Sequence, residues 1–245
     1  MVIIEHLKAN DVPLLHVAKE KVRNQPLPTV IYYHGFNGEK ESSLTLAYKI
    51  AEKGLRVILP DAPLHGERNG YRDEPIEHGA TFWNIVLKAL DELDDVKRFL
   101  QANNYVAEGR IGLGGTSMGG MITYAALAKY DWIKVAAVLM GTPHLTKRAQ
   151  LTLDGASDEQ NALLDKIAEV DISERIDALH GRPLFIWHGE KDQIVPVQDT
   201  RDFYAQLKER EHDDDKLVFI EEKDRIHNIS KFSIKKTAEW FKAKL

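Results

Sequence analysis

The sequence predicts an α/β fold: a mostly parallel central sheet flanked by helices on both faces. Short Val- and Ile-rich segments alternate along the chain with stretches of helical spacing, the pattern of parallel strands joined by helical crossovers. Most of the strand segments are continuously apolar, as strands covered on both faces are. A length of 245 residues, 43% of them hydrophobic, is enough for one large core, so a single domain over 1–245 is expected.

The elements follow in order. Val2 to Leu7 and Leu14 to Ala18 flank Asn10-Asp11, a turn signal, and read as a hairpin. Thr29-Val30-Ile31-Tyr32-Tyr33 is β-branched and aromatic, a buried strand ending at His34-Gly35. Ser43 to Lys53 reads as a helix stopped by Gly54, and Leu55 to Leu59 as a strand broken by Pro60. Phe82 to Leu100 carries apolar residues at 82, 86, 89, 90, 93, 96 and 100, which is helical spacing. Arg110 to Gly114 is a short strand that runs into Ser117, and Met118 to Lys129 is the next helix. Strands follow at Val135 to Met140, Pro183 to Trp187 and Leu217 to Ile220, with helices at Val197 to Arg210 and Phe232 to Lys244.

Leu145 to His180 breaks the alternation, because a plain crossover needs only one helix. Ser157-Asp158-Glu159-Gln160 is a capping box that opens an amphipathic run to Val170, and Ser173 is a second start signal. Long insertions often serve as lids, so residues 145–180 are expected to form a small helical cap over the site. The alternative is a decorated crossover packed on the sheet flank.

Composition removes several classes. The net charge of −5 gives no basic surplus, so nucleic acid is not an expected partner. The absence of cysteine excludes disulfides, cysteine nucleophiles and thiolate metal sites. Met1 to His6 lacks a basic region followed by a long apolar run, and no stretch approaches the ~20 apolar residues that span a bilayer. A cytoplasmic protein without a membrane partner is expected, and assembly as a homo-oligomer is left open. No spacing of His, Asp or Glu suggests a metal site.

Gly115-Thr116-Ser117-Met118-Gly119 matches G-x-S-x-G between a strand and a helix. That context forces Ser117 into a strained turn, with glycines on both sides so that the backbones can pass. The hydroxyl is left at a helix N-terminus, where the dipole favours a developing oxyanion. A serine needs a base, and the base needs a carboxylate that fixes its tautomer. With a nucleophile on such a turn, the partners follow in the order Ser, Asp or Glu, His. Asp192 lies in the loop after the strand Leu184 to Gly189, with Glu190 as its nearest rival. His227 precedes the last helix. Other histidines are placed less well: His6 and His16 in the hairpin, His180 at the end of the insertion, His212 in the charged run from Glu209 to Lys216.

An oxyanion needs two N–H donors. The amide of Met118 is one candidate and that of Phe36, in the loop His34-Gly35-Phe36-Asn37-Gly38, the other. Gly35 permits close backbone approach, and the Phe36 ring can line an acyl pocket. His34, Gly35, His65 and His144 are candidate substrate contacts, all in loops at strand ends; His65 reads more readily as a loop brace, and the alternative for His144 is hydrogen bonding within its loop. Met118 and Met121 read as core packing rather than recognition.

Together, His34-Gly35-Phe36, Gly115-Thr116-Ser117-Met118-Gly119, His188-Gly189-Glu190-Lys191-Asp192 and Ile226-His227 resemble the signatures of the α/β-hydrolase superfamily. The likeness is nearest to small bacterial carboxylesterases of the branch related to prolyl oligopeptidase and dienelactone hydrolase, and runs from about Pro28 onward. It implies the α/β-hydrolase fold with an eight-stranded, mostly parallel sheet, a Ser-His-Asp triad and no cofactor. The chain departs from dienelactone hydrolases in carrying Ser117 where they have cysteine, and it lacks the propeller domain of the oligopeptidases.

The expected activity is a serine carboxylesterase acting on short-chain acyl esters, small-molecule substrates, through an acyl-enzyme. A peptidase, amidase, thioesterase or acyltransferase would use the same triad. A non-catalytic binding protein on this fold is the reading of another class. A free imidazole titrates near pH ~6.5, so a histidine base predicts activity that falls as pH drops through neutrality.

Overall fold

The computed structural model describes residues 1–69, 79–153, 157–179, 181–210 and 213–245. Strands β1 (Val2–Ala9) and β2 (Val12–Lys19) form the expected hairpin, turning at Asn10, whose φ is 52°. Then follow β3 (Leu27–Tyr33), α1 (Leu44–Glu52), β4 (Arg56–Pro60), α2 (Ala80–Ala102), β5 (Val106–Thr116) and α3 (Met118–Lys129). The second half contains β6 (Ile133–Leu139), α4 (Leu145–Gln150), α5 (Asp158–Ala168), β7 (Leu184–Gly189), α6 (Val197–Lys208), β8 (Leu217–Glu222) and α7 (Lys231–Lys244).

The eight strands among the described residues join one sheet in the order β1-β2-β4-β3-β5-β6-β7-β8. Only β2 runs against its neighbours; from β4 to β8 every pairing is parallel. The two-residue side-chain period sorts each central strand onto two cores. Ile31 and Tyr33 of β3, with Leu184 and Ile186 of β7, face the layer of α2, α3 and α6. Val30, Tyr32, Phe185 and Trp187 face α1 and α7, where Phe241 and Trp240 close the layer. Each large side chain buried this way contributes about 1.5–3 kcal/mol, so a one-residue slip of a central strand would expose both layers at once.

Strand β5 begins earlier than its apolar run. Its first residues are half-buried or exposed and include the positive-φ pair Glu108 and Gly109; its pairing with β3 shifts register between Leu27 and Thr29. A bulged, polar half-strand carries no periodic signal.

In the insertion, α5 packs on α2, and Leu163, Ile167, Val170, Ile172 and Leu179 join the core on that face. Ser157 caps α5 by accepting the Gln160 amide at 3.2 Å. The capping box is not reciprocal, however: Gln160 Oε1 is buried without a hydrogen-bond partner. The short 3-10 turn Ile172–Glu174 is capped by Asp171, not opened by Ser173. Residues 154–156 and 180 of the expected cap, and His212, lie outside the described residues. Among the described residues no helix is long and apolar enough to cross a membrane.

Candidate active site

The chain passes from β3 outward to β4, then returns across β3 to lay down β5 on its other side. Such a reversal opens a crevice beyond the carboxyl ends of the two strands, where ligands of open α/β sheets bind. Tyr33 and Gly115 are paired at that end, so the loop that begins at His34 and the turn at Ser117 emerge side by side.

Ser117 sits between β5 and α3 at φ 56° and ψ −113°, a conformation that non-glycine residues rarely adopt. Its amide donates to the Leu139 carbonyl at 2.8 Å, and its carbonyl accepts from the Met121 amide at 3.0 Å, which holds the turn from both sides. The flanking glycines are required by contact. A Cβ on Gly115 would stand 2.2 Å from the Gly119 carbonyl, and one on Gly119 would stand 2.3 Å from the Tyr33 carbonyl oxygen.

Side chains from three separate loops meet at this turn. His227 Nε2 lies 2.9 Å from Ser117 Oγ, and His227 Nδ1 lies 2.6 Å from Asp192 Oδ2. The ring therefore donates from Nδ1 to the carboxylate and presents Nε2 to the hydroxyl. The His227 loop is pinned at both ends: Lys191 N–H donates to Arg225 O at 2.8 Å, and Ser230 caps α7 in a reciprocal box with Ser233.

The Asp192 carboxylate is fully buried, while His227 keeps 20% of its side chain exposed. Asp192 Oδ1 accepts the amides of Ile194 and Val195, each at 2.9 Å. Burial pushes this carboxyl up, but hydrogen bonds from His188, His227 and the Val195 amide outweigh it and hold the group well below the usual carboxylate range. The rival Glu190 turns elsewhere: its Oε2 accepts the Asp224 amide at 2.8 Å.

Of the four candidate substrate contacts, His34 and His144 need correcting, His65 follows its loop-brace reading, and Gly35 stands beside Ser117. His34 and His65 do not line the cavity at Ser117; each is buried with both ring nitrogens on backbone groups. They brace the loop that carries Phe36. His144 precedes α4, with its amide on Thr142 Oγ1 at 3.2 Å and its ring edge-on to Phe203, also off the cavity wall. Gly35 is not forced by backbone crowding, since a Cβ there would stand 3.5 Å from the Thr116 carbonyl oxygen and 3.7 Å from Ser117 Cβ. Its missing side chain instead leaves the space beside Ser117 open.

A cavity of about 220 Å³ opens at Ser117 and His227, walled by Phe36, Phe82, Trp83, Met121 and Val195. Phe82 stacks edge-on against both Phe36 and Trp83, each at 5.2 Å between centroids. The insertion contributes Arg148 and Thr152, and Trp83 Nε1 donates to Thr152 Oγ1 at 2.9 Å.

The chain matches the Dienelactone hydrolase family over residues 15–221. It belongs to that family. Across its full length and that of the relative, it is 37% identical to the Bacillus subtilis (strain 168) protein named "Putative esterase YitV". It is 30% identical to Esterase YjfP of Escherichia coli (strain K12), covering 87% of this chain and 88% of that protein. In fold it is similar to TT1662 from Thermus thermophilus, with a TM-score of 0.82 at 21% identity over 99% of this chain and 98% of that one.

Some residues of this dienelactone hydrolase family member escape a sequence reading. Phe82 and Trp83 look like two more apolar positions of an amphipathic helix, and Met121 reads as core, yet all three wall the cavity. Met121 is both things at once, with 3% of its surface exposed. Arg148 and Thr152 carry no motif. His188 stands 3.2 Å from Asp192; the sequence offers it as the first residue of the His188-to-Asp192 motif but carries no signal of that contact.

Proposed function

We propose that this chain is a serine carboxylesterase that hydrolyses short-chain acyl esters through an acyl-enzyme, with Ser117 as nucleophile, His227 as general base and Asp192 as the carboxylate that orients it. The observation that carries the reading is the continuous contact from hydroxyl to imidazole to buried carboxylate, at 2.9 and 2.6 Å, opening on an apolar cavity. The reaction follows from the donors and acceptors in place. His227 Nε2 takes the Ser117 proton as Oγ bonds to the acyl carbon. Asp192 stabilises the imidazolium that forms. The carbonyl oxygen becomes an oxyanion held by the amides of Phe36 and Met118. Met118 is the first residue of α3, so its N–H has no acceptor within the helix. The C–O bond breaks, and the alcohol leaves with the proton from His227. Water, deprotonated by the same ring, attacks the acyl-enzyme, and the second collapse frees the acid and regenerates Ser117.

The aromatic wall supports the preference for small acyl groups. Phe36, Phe82 and Trp83 crowd the cavity beside Ser117, which favours acetyl to butyryl chains over long ones. The test is a chain-length panel of nitrophenyl esters with the wild type and Ser117→Ala, together with fluorophosphonate labelling. Short esters should turn over fastest, and the variant should lose both turnover and label. A variant that retains most of the rate would remove the assignment.

A further inference from the structure

His188 is fully buried at the end of β7, and the reaction as derived above does not use it. Its Nε2 lies 2.8 Å from the Val195 carbonyl oxygen and 3.2 Å from Asp192 Oδ2; its Nδ1 lies 3.0 Å from Thr200 Oγ1. Both groups facing Nε2 can only accept, so Nε2 carries the proton and Nδ1 accepts from the Thr200 hydroxyl. Asp192 Oδ2 thus takes the hydrogen bond of His227 at 2.6 Å and lies 3.2 Å from His188 Nε2, whose own N–H hydrogen bond goes to the Val195 carbonyl oxygen, while Oδ1 is filled by two amides.

We propose that His188 is a positioning residue of the relay: by holding the positive edge of its ring, Nε2–H, within 3.2 Å of Asp192 Oδ2, it limits how strongly that carboxylate stabilises the His227 imidazolium. This rests on the reading of Ser117, His227 and Asp192 as catalytic. A donor to a carboxylate draws on the same charge that favours a protonated neighbour, so each N–H on Asp192 reduces what is left for His227. A base serves best when it titrates near the working pH, and a buried carboxylate facing one imidazole alone would hold that imidazole protonated further into the neutral range.

The other charges around the pair are balanced or displaced. Glu221 of β8 is in register with His188 and is bridged by Arg201 of α6. Asp199 of α6 is bound by Lys147, and Arg225 beside His227 is bound to Glu222. Arg148 lines the cavity that His227 faces, with its guanidinium donating to the Ile194 carbonyl.

The test is the pH dependence of kcat/KM on a short nitrophenyl ester for the wild type, His188→Met and His188→Gln. Methionine removes the N–H, and the acid limb should move up by about half a pH unit, the worth of one ordinary hydrogen bond. Glutamine can place a carboxamide N–H near the Nε2 position and should return the limb to the wild-type pH. A role in packing alone would lower the rate of both variants without moving the limb. A limb that stays or moves down in His188→Met, or that coincides in the two variants, overturns the proposal. Nitrogen-15 NMR of histidine-labelled wild type needs no variant: it should find His188 protonated on Nε2, and a proton on Nδ1 alone overturns the proposal as well. Ser117→Ala separates the two readings. If it is inactive while the limb of His188→Met is unmoved, only the role of His188 falls; if it is active, the proposed reaction falls first.

Discussion

His34 and His65 tie the same two loops together in opposite directions. His34, after β3, accepts the Ala62 amide on Nε2 at 3.1 Å; His65, after β4, accepts the Asn37 amide on Nε2 at 3.0 Å. Each ring donates from Nδ1 to a nearby carbonyl, Gly35 for His34 and Pro63 for His65. The two rings stand 5.1 Å apart between centroids. This cross-brace fixes the segment that carries Phe36, and it works only while both rings are neutral, because a second N–H would point at a backbone N–H.

The brace has a pH signature. Burial pushes the His34 imidazole down to about 4 and lowers that of His65 as well. Unfolded, each ring binds a proton below about 6.5, so between there and about 4 the unfolded state holds more protons than the folded one. Stability is therefore full above that window, falls as pH drops through it, and levels off below. His34 alone accounts for roughly 3 kcal/mol across the window. Urea unfolding at about pH 7 and pH 4.5 should show this loss in the wild type and a smaller one in His34→Gln, whose amide oxygen can accept from Ala62 without titrating. Parallel losses in the two proteins would contradict it.

Two glycines near Ser117 should respond oppositely to the same added methyl. Gly119→Ala brings Cβ to 2.3 Å from the Tyr33 carbonyl oxygen, a clash with β3 backbone that no side-chain rotation relieves. It should cost several kcal/mol of stability and abolish turnover. Gly35→Ala meets only ordinary contacts, the nearest at 3.5 Å, and should stay within about 1 kcal/mol of wild type while lowering kcat/KM, since its methyl stands beside Ser117 Cβ. Thermal melts with ester assays decide this. A stable, active Gly119→Ala would mean that the turn can relax in a way these contacts forbid.

Why some of this was legible in the sequence and some was not follows from where each signal lies. Ser117, Asp192 and His227 were readable because each is a distinctive residue in a loop whose place along the chain matches its place at the sheet edge. The central strands were readable because burial on both faces leaves a continuous apolar run. The work of His34 and His65 was not, because their partners are backbone amides of another loop, which no residue type announces. Phe82 and Trp83 obey the helical period whether they face a core or a cavity. The insertion shows its helices in sequence but not its contacts with α2.

Asp192 and Glu190, two residues apart, provide a direct comparison of carboxylates. Asp192→Asn keeps the shape of the group, but an amide nitrogen facing His227 favours the wrong tautomer, and kcat should fall by about 10⁴-fold with little change in KM. Glu190→Gln alters a group whose contact is the Asp224 amide, so activity should stay within about twofold. Steady-state kinetics on one ester resolve the pair. Equal losses, or a larger loss at Glu190, would reassign the acid.

Phe82 should set the acyl-length limit. Its ring is half-buried and closes the cavity by edge contacts with Phe36 and Trp83, whereas Trp83 is 1% exposed and bonded to Thr152. Trp83→Ala would therefore confound specificity with a loss of about 3–5 kcal/mol of stability. Phe82→Ala removes the wall with less damage, and the freed space lies in the cavity at Ser117 rather than in the core. Each methylene that gains an apolar contact strengthens transition-state binding, so the ratio of octanoyl to butyryl kcat/KM should rise roughly tenfold. The nitrophenyl ester panel measures that ratio directly. An unchanged ratio in a folded, fluorophosphonate-reactive variant would place the acyl chain elsewhere and leave the aromatic wall to the alcohol half of the ester.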